Sequence, residues 1–379
     1  MRVMMTGGGT GGHVNPAIAI ANIIKQNEPD SVVAFVGTSR GIENKLVPKA
    51  GYELFHVEVQ GIKRRLTPAN IKALWLAFTS VGHAKKLVKS FKPDLVVGTG
   101  GYVSWPVCRA AASLGIPTAL HESNAIPGFA VRMLEKYVDR VYVNFEATRE
   151  RLAFPDKCVR VGNPLKPEFL SPDREAARRE LGIAEKYDKF ILSCGGSMGA
   201  ENVNIEVLRL MREYTSKHPE VLHVHATGAI EYEEATRQFR AAGLEQYPNL
   251  QMLEYIYDMP QRMMAADVVI NRAGAMTLSE IAALGRASIL IPSPNVTDNH
   301  QYKNARVLAD AGAAVLIEEK EFTGYSEASE SRLTEAVKGL LEDDSKREAI
   351  SSAVSKFAVL DAADVLYREL RALVDSKSV

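Results

Sequence analysis

A histidine at the mouth of a glycine run is the first place in this chain where residue type and spacing suggest chemistry. Gly7-Gly8-Gly9-Thr10-Gly11-Gly12 follows the apolar stretch Val3-Met4-Met5 and leads into His13. Glycine permits positive φ and close approach of backbone to a ligand, and a helix starting after such a turn presents unpaired N–H groups to an anion. A neutral imidazole there can take the proton of an attacking hydroxyl; the plainer alternative is a hydrogen-bonded loop histidine. A second polar cluster, His121-Glu122-Ser123-Asn124, follows Pro117–Leu120. Four polar groups at the C-terminal end of a strand are poor packing material and suit hydroxyl recognition. Glu122 can act as a base or orient a neighbour, and the cluster can also cap the helix expected after Pro127-Gly128.

The glycine run recurs in kind. Gly98-Thr99-Gly100-Gly101 follows Asp94–Val97, Gly195-Gly196-Ser197-Met198-Gly199 follows Phe190–Cys194, and Arg272-Ala273-Gly274-Ala275 follows Val268–Ile270. Each reads as strand, glycine turn and helix start. Two such loops in each half suggest two nucleotide-binding-like domains facing one diphosphate. Gly7-x-Gly9-x-x-Gly12 fits a dinucleotide fingerprint, but the second strand, Val32–Val36, ends in Gly37-Thr38-Ser39 without a carboxylate for a ribose, which argues against NAD. His13 stands where a phosphate-binding loop would carry Lys-Ser/Thr. Thr277-x-x-Glu280 has capping-box spacing, so Glu280 can bond its own helix start; a carboxylate there can also grip a ribose diol. Asp298-Asn299-His300-Gln301 offers amides that can read sugar hydroxyls, or else forms a polar surface loop. No Asp-x-Asp pair occurs in the chain. No cofactor and no protein-held metal are therefore expected, and helix N-termini at Gly196–Gly199 and Gly274–Thr277 would stabilise a departing diphosphate.

Elements must hold these loops in place, and the chain has the material for them. Its 379 residues fit about two domains. With 46% hydrophobic and 24% charged residues it can bury ordinary globular cores. Apolar runs predict strands near 2–6, 31–37, 53–59, 94–98, 117–121 and 139–143, with helices from about Asn15 to Gln26, from Pro68 to Ser90, and starting near Val103 and Gly128. Residues 159–172, with Pro164, Pro167 and Pro172, read as a linker. A second set of strands is expected near 189–194, 221–227, 250–253, 267–271, 287–291 and 314–317, and residues 329–376 read as helices. Alternating strands and helices argue for α/β architecture with two doubly wound parallel sheets, ligands binding in a cleft at the strands' C-terminal ends. The domains expected are 1–163, 164–345, and helices over 346–379 packing back on the first domain.

Charge is uneven. Residues 1–165 hold 21 Lys+Arg against 12 Asp+Glu, and the rest 25 against 34, so the halves carry +9 and −9. A basic first half suits a phosphorylated lipid or a membrane surface; without a compact Arg-rich motif, no nucleic acid is expected. Cys108, Cys158 and Cys194 have neither metal nor disulfide spacing and fit a reducing compartment. A strand beginning by Val3 leaves no room ahead of it for a signal peptide. The apolar stretch Leu74–Phe78 is far short of the ~18–20 residues of a membrane span. Lys63-Arg64-Arg65 precedes a helix with Ile71, Leu74, Trp75, Phe78 and Val81 at helical spacing and Leu76 beside them, flanked by Lys72, Lys85 and Lys86. That stripe suits a core, or interfacial insertion beside anionic lipid.

Taken in order, Gly7–His13, Gly98–Val103, His121-Glu122-x-Asn124, Gly162-Asn163-Pro164, Gly195-Gly196-Ser197, Arg272–Glu280 and Gln301 resemble the MurG family, the N-acetylglucosaminyltransferases of murein synthesis. The resemblance covers nearly the whole chain. It implies a GT-B fold of two Rossmann-like domains. The implied reaction is inverting transfer of N-acetylglucosamine from UDP-N-acetylglucosamine to the 4-hydroxyl of an undecaprenyl-diphosphate-linked muramoyl-pentapeptide, by a peripheral protein at the cytoplasmic face of an anionic membrane surface. It also implies site residues. His13 or Glu122 would assist deprotonation. Gly9, His13, Gly100, Gly101, Tyr102 and His121 would hold the acceptor. On the donor side stand Thr10, Gly11, Gly12, Asn124, Lys166, Ser197, Asn204, Ile256, Ala275, Met276, Thr277, Leu278, Ser279, Glu280 and Gln301. Within that set Ser197 would hold the diphosphate, the backbone around Ile256 read uracil, and Glu280 take the ribose hydroxyls. Ser123, Lys166 and His300 depart from the family's Gln, Arg and Gln. A different GT-B sugar-nucleotide enzyme, such as a diacylglycerol glucosyltransferase or an epimerase, and a catalytically silent UDP-sugar-binding protein are the competing readings.

Overall fold

The computed structural model describes residues 1–59, 68–196, 198–322 and 331–377, with side chains in the helix Pro68–Phe91 described from Thr79 onward. Ser197, Lys63-Arg64-Arg65 and the side chains of Ile71, Lys72, Leu74, Trp75, Leu76 and Phe78 lie outside the described residues. The chain divides into two compact units, Met1–Leu165 with Val359–Val379, and Lys166–Ala358.

In the first unit, strands β1 (Arg2–Thr6), β2 (Val32–Gly37), β3 (Glu53–His56), β4 (Leu95–Gly98), β5 (Thr118–Glu122), β6 (Arg140–Val143) and β7 (Cys158–Arg160) form one parallel sheet in the order β3-β2-β1-β4-β5-β6-β7. Its crossovers contain α1 (Gly11–Asn27), α2 (Glu43–Lys49), α3 (Pro68–Phe91), α4 (Ser104–Ser113), α5 (Phe129–Leu134) and α6 (Glu146–Arg149). The strands read as continuous apolar runs because helices cover both faces: Val3 and Met5 enter one core, Met4 the other. The strand order reverses between β1 and β4, where Thr6 pairs with Gly98 in register. The loops leaving those two strands start side by side, at the switch point where wound sheets bind ligands.

The second unit repeats the plan. Strands β8 (Lys189–Cys194), β9 (Val221–Ala226), β10 (Leu250–Leu253), β11 (Val268–Asn271), β12 (Ala287–Leu290) and β13 (Val315–Leu316) pair in parallel in the order β10-β9-β8-β11-β12-β13, so the switch falls between β8 and β11. Helices α7 (Arg174–Glu180), α8 (Glu201–Glu213), α9 (Tyr232–Ala241), α10 (Met259–Ala265), α11 (Ala275–Leu284), α12 (His300–Asp310), α13 (Arg332–Leu341) and α14 (Asp344–Ser355) surround it.

The last helix, α15 (Ala362–Asp375), returns to the first unit. Leu366, Leu370 and Leu373, at helical spacing, enter the core holding Val3 and Met5, and each fully buried side chain of that kind contributes about 1.5–3 kcal/mol. Tyr367 Oη donates to Glu28 Oε1 at 2.9 Å.

Several boundaries differ from the sequence reading. The first helix begins at Gly11, not Asn15, because the Thr10 carbonyl already accepts from His13 N at 3.1 Å and Val14 N at 3.2 Å. β3 stops at His56, after which Val57 N bonds back to Gly37 O. The expected linker 159–172 overlaps the end of β7, whose Val159 pairs with Tyr142 and Arg160 with Val143. The return to the first unit starts at Val359 rather than at 346, because Ile350 of α14 is buried in the second unit's core.

Candidate active site

The two glycine loops of the first unit interlock. A Cβ on Gly7 would lie 2.0 Å from Thr99 Oγ1, and one on Gly101 (φ +77°) 2.3 Å from the Gly8 carbonyl. Thr99 Oγ1 donates to the His13 carbonyl at 2.7 Å, and His13 Nδ1 lies 3.1 Å from the Thr99 carbonyl. A carbonyl only accepts, so Nδ1 carries the proton and Nε2 is the basic nitrogen of the neutral ring. His13 is half-buried, whereas Thr10 and Gly12 are exposed. The extended Thr10 caps α1 without a side-chain hydrogen bond, so Gly11 and Gly12 open a helix N-terminus. Tyr102 is partly exposed, and its ring would lie 3.2 Å from a Cβ on Gly9.

Sequence reasoning missed Glu43, the hub beneath this loop. It is fully buried, takes Gly9 N on Oε2 at 3.0 Å, and takes Thr38 N and Thr38 Oγ1 on Oε1, each at 2.9 Å. Burial alone would raise its carboxyl; the donors, led by Thr38 and Gly9, outweigh that and hold it below the ordinary glutamate value. The Gly9 N–H is thus committed to a carboxylate. The only sequence signal was a Gly41-x-Glu43 turn after β2, thirty-four residues beyond its partner.

In the 121–124 cluster the geometry is that of the orienting and capping alternatives, with His121 turned inward. His121 is fully buried, with Nε2 3.0 Å from the Gly162 carbonyl, and burial pushes its imidazole down. It supports the strand end instead of presenting a ring to a ligand. Glu122 accepts Asn124 N and Asn124 Nδ2 on Oε1, each at 3.0 Å, and Gly128 N on Oε2 at 2.8 Å. Burial nevertheless raises its carboxyl, with those donors opposing. Its geometry is that of a residue that aims Asn124 and starts α5. Thr148 Oγ1 holds the Asn124 carbonyl at 2.8 Å.

In the second unit, β11 ends at Asn271 and the extended Gly274 caps α11. Ala275, Met276 and Thr277 form its first turn. Glu280 therefore sits mid-helix, beyond reach of the N-cap, and the capping-box reading fails. A Cβ on Gly274 would meet nothing closer than Thr277 Oγ1 at 3.8 Å, so the protein itself leaves this side open. Leu278 turns into the core, and Ser279 Oγ donates to the Ala275 carbonyl at 3.2 Å. No donor among the described residues reaches the Glu280 carboxylate; burial raises it to about 7, and the Lys166 charge only partly opposes this. Lys166 itself is exposed. Gln301 Oε1 accepts Ser293 N at 2.9 Å in the first turn of α12, after Asp298 and Asn299, both at positive φ (+60° and +51°). Strained backbone of this kind concentrates at ligand sites. His300 Nδ1 faces the Thr297 carbonyl at 2.8 Å. Ile256 is buried between the exposed Tyr255 and Tyr257 after β10, and Asn204 is buried on α8. Two further residues were not foreseen: Asn304 Nδ2 donates to the Ala273 carbonyl at 3.3 Å, and Glu319 pairs with Arg272 at 2.6 Å, so both steady the loop before Gly274.

Each unit thus gathers its own set at the C-terminal ends of its sheet. Gly9–His13, Gly100–Tyr102 and Asn124 belong to the first, and Lys166, Asn204, Ile256, Ala275–Glu280 and Gln301 to the second. Among the described residues no group of three or more His, Cys, Asp or Glu side chains is arranged to hold a metal ion.

Comparison with known proteins agrees with this layout. Residues 3–143 match the glycosyltransferase family 28 N-terminal domain and residues 190–366 its C-terminal domain. The chain is 40% identical over 378 residues, covering both chains completely, to the UDP-N-acetylglucosamine--N-acetylmuramyl-(pentapeptide) pyrophosphoryl-undecaprenol N-acetylglucosamine transferase of Acetivibrio thermocellus. It is 39% identical to the protein of that name from Bacillus licheniformis, over 98% of this chain and 99% of the relative. Among solved structures, Acinetobacter baumannii MurG superposes with a TM-score of 0.76 at 28% identity, covering 98% of this chain and 99% of that one. A UDP-GlcNAc 2-epimerase from Neisseria meningitidis shares the fold, with a TM-score of 0.64 at 14% identity over 98% of this chain and all of the other.

Proposed function

This chain belongs to glycosyltransferase family 28, and from that premise we propose that it transfers N-acetylglucosamine from UDP-N-acetylglucosamine to the 4-hydroxyl of an undecaprenyl-diphosphate-linked muramoyl-pentapeptide. The observation that carries this reading is Glu280, a half-buried carboxylate that no described protein donor satisfies, one turn beyond the open N-terminus of α11. A ribose diol supplies two donors of the kind it lacks, while the α11 N-terminus stabilises the adjoining diphosphate. Met276, Thr277 and Gln301 stand within the same loop set for the sugar.

The transfer is an in-line displacement. The acceptor oxygen attacks the anomeric carbon, the bond from that carbon to the β-phosphate oxygen breaks, and the electron pair leaves with UDP. His13 Nε2 takes the hydroxyl proton, because Nδ1 is committed to Thr99. Glu122 serves by aiming Asn124, since both its oxygens already hold donors. We propose that the leaving group is neutralised by helix N-termini without a protein-held metal.

The reaction is proposed to occur at the cytoplasmic face of an anionic membrane, to which the protein binds peripherally. Among the described residues no helix is long and apolar enough to cross a membrane. On α5, Phe129 (60% exposed) and Met133 stand beside exposed Arg132 and Lys136, a pairing suited to anionic lipid. Flotation with anionic vesicles should fall for the Phe129→Ser/Met133→Ser double variant; unchanged flotation would remove this face from the contact.

The deciding assay is UDP release with and without a short-chain lipid-diphosphate muramoyl-pentapeptide. Acceptor-dependent release that falls roughly 10²–10⁴-fold in His13→Gln is expected for a general base. Release or epimerisation indifferent to the acceptor would overturn the reading in favour of another sugar-nucleotide enzyme.

A further inference from the structure

The second unit buries two histidines that the reaction above does not use. His223 and His225 alternate along β9, so both point to one face of the sheet, and Ser193 of β8 pairs in register with His225. All three are completely buried, and Asn204 of α8 is 3% exposed beside them. Burying imidazoles is costly unless every nitrogen is partnered. Here the partners form a line. Ser193 Oγ lies 2.9 Å from His223 Nε2 and 2.9 Å from His225 Nδ1, while His225 Nε2 lies 3.0 Å from Asn204 Oδ1. Asn204 Nδ2 donates to the Thr227 carbonyl at 3.1 Å, and Thr215 Oγ1 lies 3.4 Å from His223 Nδ1 at the other end.

The terminal carbonyl sets the direction of the whole line. The Thr227 carbonyl can only accept, so the Asn204 amide nitrogen faces it and Oδ1 faces His225. His225 Nε2 must then donate. His225 Nδ1 faces both the Ser193 hydroxyl at 2.9 Å and the Ser193 carbonyl at 3.2 Å. With Nε2 donating to Asn204, a neutral ring carries no proton on Nδ1, which takes the nearer hydroxyl, whose oxygen accepts from His223 Nε2–H. His223 Nδ1 is left to accept from Thr215. Burial supports neutrality: it pushes His225 down to about 4 and His223 well below the ordinary histidine value, the latter helped by His225.

The line ends at a loop the donor reading depends on. The Thr227 carbonyl would lie 2.5 Å from a Cβ on Gly199, Gly228 crosses the Gly199 backbone with equal closeness, and Gly199 N closes a turn onto the Gly196 carbonyl at 3.0 Å. We propose that His225, acting through Asn204, is a positioning residue that fixes the Thr227–Gly228 crossing and thereby seats the Gly196–Gly199 turn for a nucleoside diphosphate. This inference rests on the donor reading of the second unit. It adds that Asn204 serves the nucleotide from behind the loop and that the conducting element is an uncharged, one-directional hydrogen-bond line.

Two measurements on the full chain test it. Long-range ¹H–¹⁵N spectra of the histidine rings in the wild-type protein should show two buried imidazoles protonated on Nε2 alone, unchanged between pH 6 and 8. A proton on Nδ1 of His225 overturns the proposal. Calorimetric titration with UDP should show roughly five- to tenfold weaker binding for His225→Leu, the loss of one buried hydrogen bond, and near-wild-type binding for His225→Gln, which keeps a donor. The acceptor KM should not move. Equal affinity in wild type and Leu variant, or equal weakening in Leu and Gln variants, overturns it, the second outcome meaning that ring volume matters and the donor does not. Should His225→Leu not fold, Ser193→Ala breaks the same line with a smaller excision and is read in its place. Absence of UDP binding by the wild-type protein would sink the donor reading itself, and the ring spectra would still report the line.

Discussion

Two glutamates, the buried Glu43 in the first unit and the half-buried Glu280 in the second, follow the same kind of glycine-rich plan to opposite ends. Glu43 is surrounded by three donors from its own chain and is held ionised below the ordinary value. Glu280 has no such donors among the described residues and is raised to about 7. The glycines nearby divide in the same way. Gly7 and Gly101 press against protein atoms, while a Cβ on Gly274 would make only an ordinary contact with Thr277 Oγ1 at 3.8 Å. A carboxylate or glycine whose surroundings are complete builds the fold. At Glu280, incomplete surroundings are what the proposed ligand would complete.

The contrast can be broken at either glutamate. Glu43→Gln should cost roughly 3 kcal/mol or more of stability, because an amide cannot accept all three donors. A melting temperature within a degree of wild type would refute the hub. The group's lowered value means that its stabilisation is present above the unfolded-state range and lost as pH falls through the folded value, so the wild type should unfold first on the acid side. Gly101→Ala should cost roughly 2–3 kcal/mol from strained φ and the Gly8 contact.

At Glu280 the expectation reverses. Glu280→Gln should weaken UDP binding roughly 10- to 100-fold while raising thermal stability. Its raised value favours the fold below the unfolded-state range, and that advantage is lost as pH rises through about 7, so the variant's gain should grow from pH 5 to 7 and level off. Wild-type UDP affinity should fall by up to tenfold per pH unit below 7, as the carboxylate protonates. Equal affinity at pH 6 and 8 would disprove the diol contact. Gly274→Ala should change stability by less than about 1 kcal/mol yet reduce UDP affinity. The smallest effect is expected at Glu206, buried on α8 with its carboxyl raised by burial. Glu206→Gln should be neutral or stabilising by up to about 1 kcal/mol, more at pH 8 than at pH 5.

What the sequence made legible follows the same division. Glycine runs after apolar strands announce loops that only glycine can make, and the alternation of strands and helices announces two wound sheets. Glu43 stayed hidden because Gly9, the partner that ties it to the glycine loop, lies thirty-four residues away, and nothing in its neighbours requires a hub. His223 and His225 alternate with apolar residues, a pattern any half-polar strand shows. Glu280 was visible as a carboxylate at helical spacing, but Thr277 three residues before it mimicked a cap that the actual helix start at Ala275 excludes. β7 was obscured by the prolines that follow it, since three residues with one paired edge carry little periodicity.

The return of α15 has a consequence for how the protein is made. A ribosome releases the strands of the first unit long before residues 362–375 exist, so the core around Val3 and Met5 lacks Leu366, Leu370 and Leu373 while the whole second unit is being synthesised. The second unit, continuous from Lys166 to Ala358, can complete itself first. The earlier-born half stays open to proteases and chaperones until the final helix arrives, so synthesis order and maturation order are inverted.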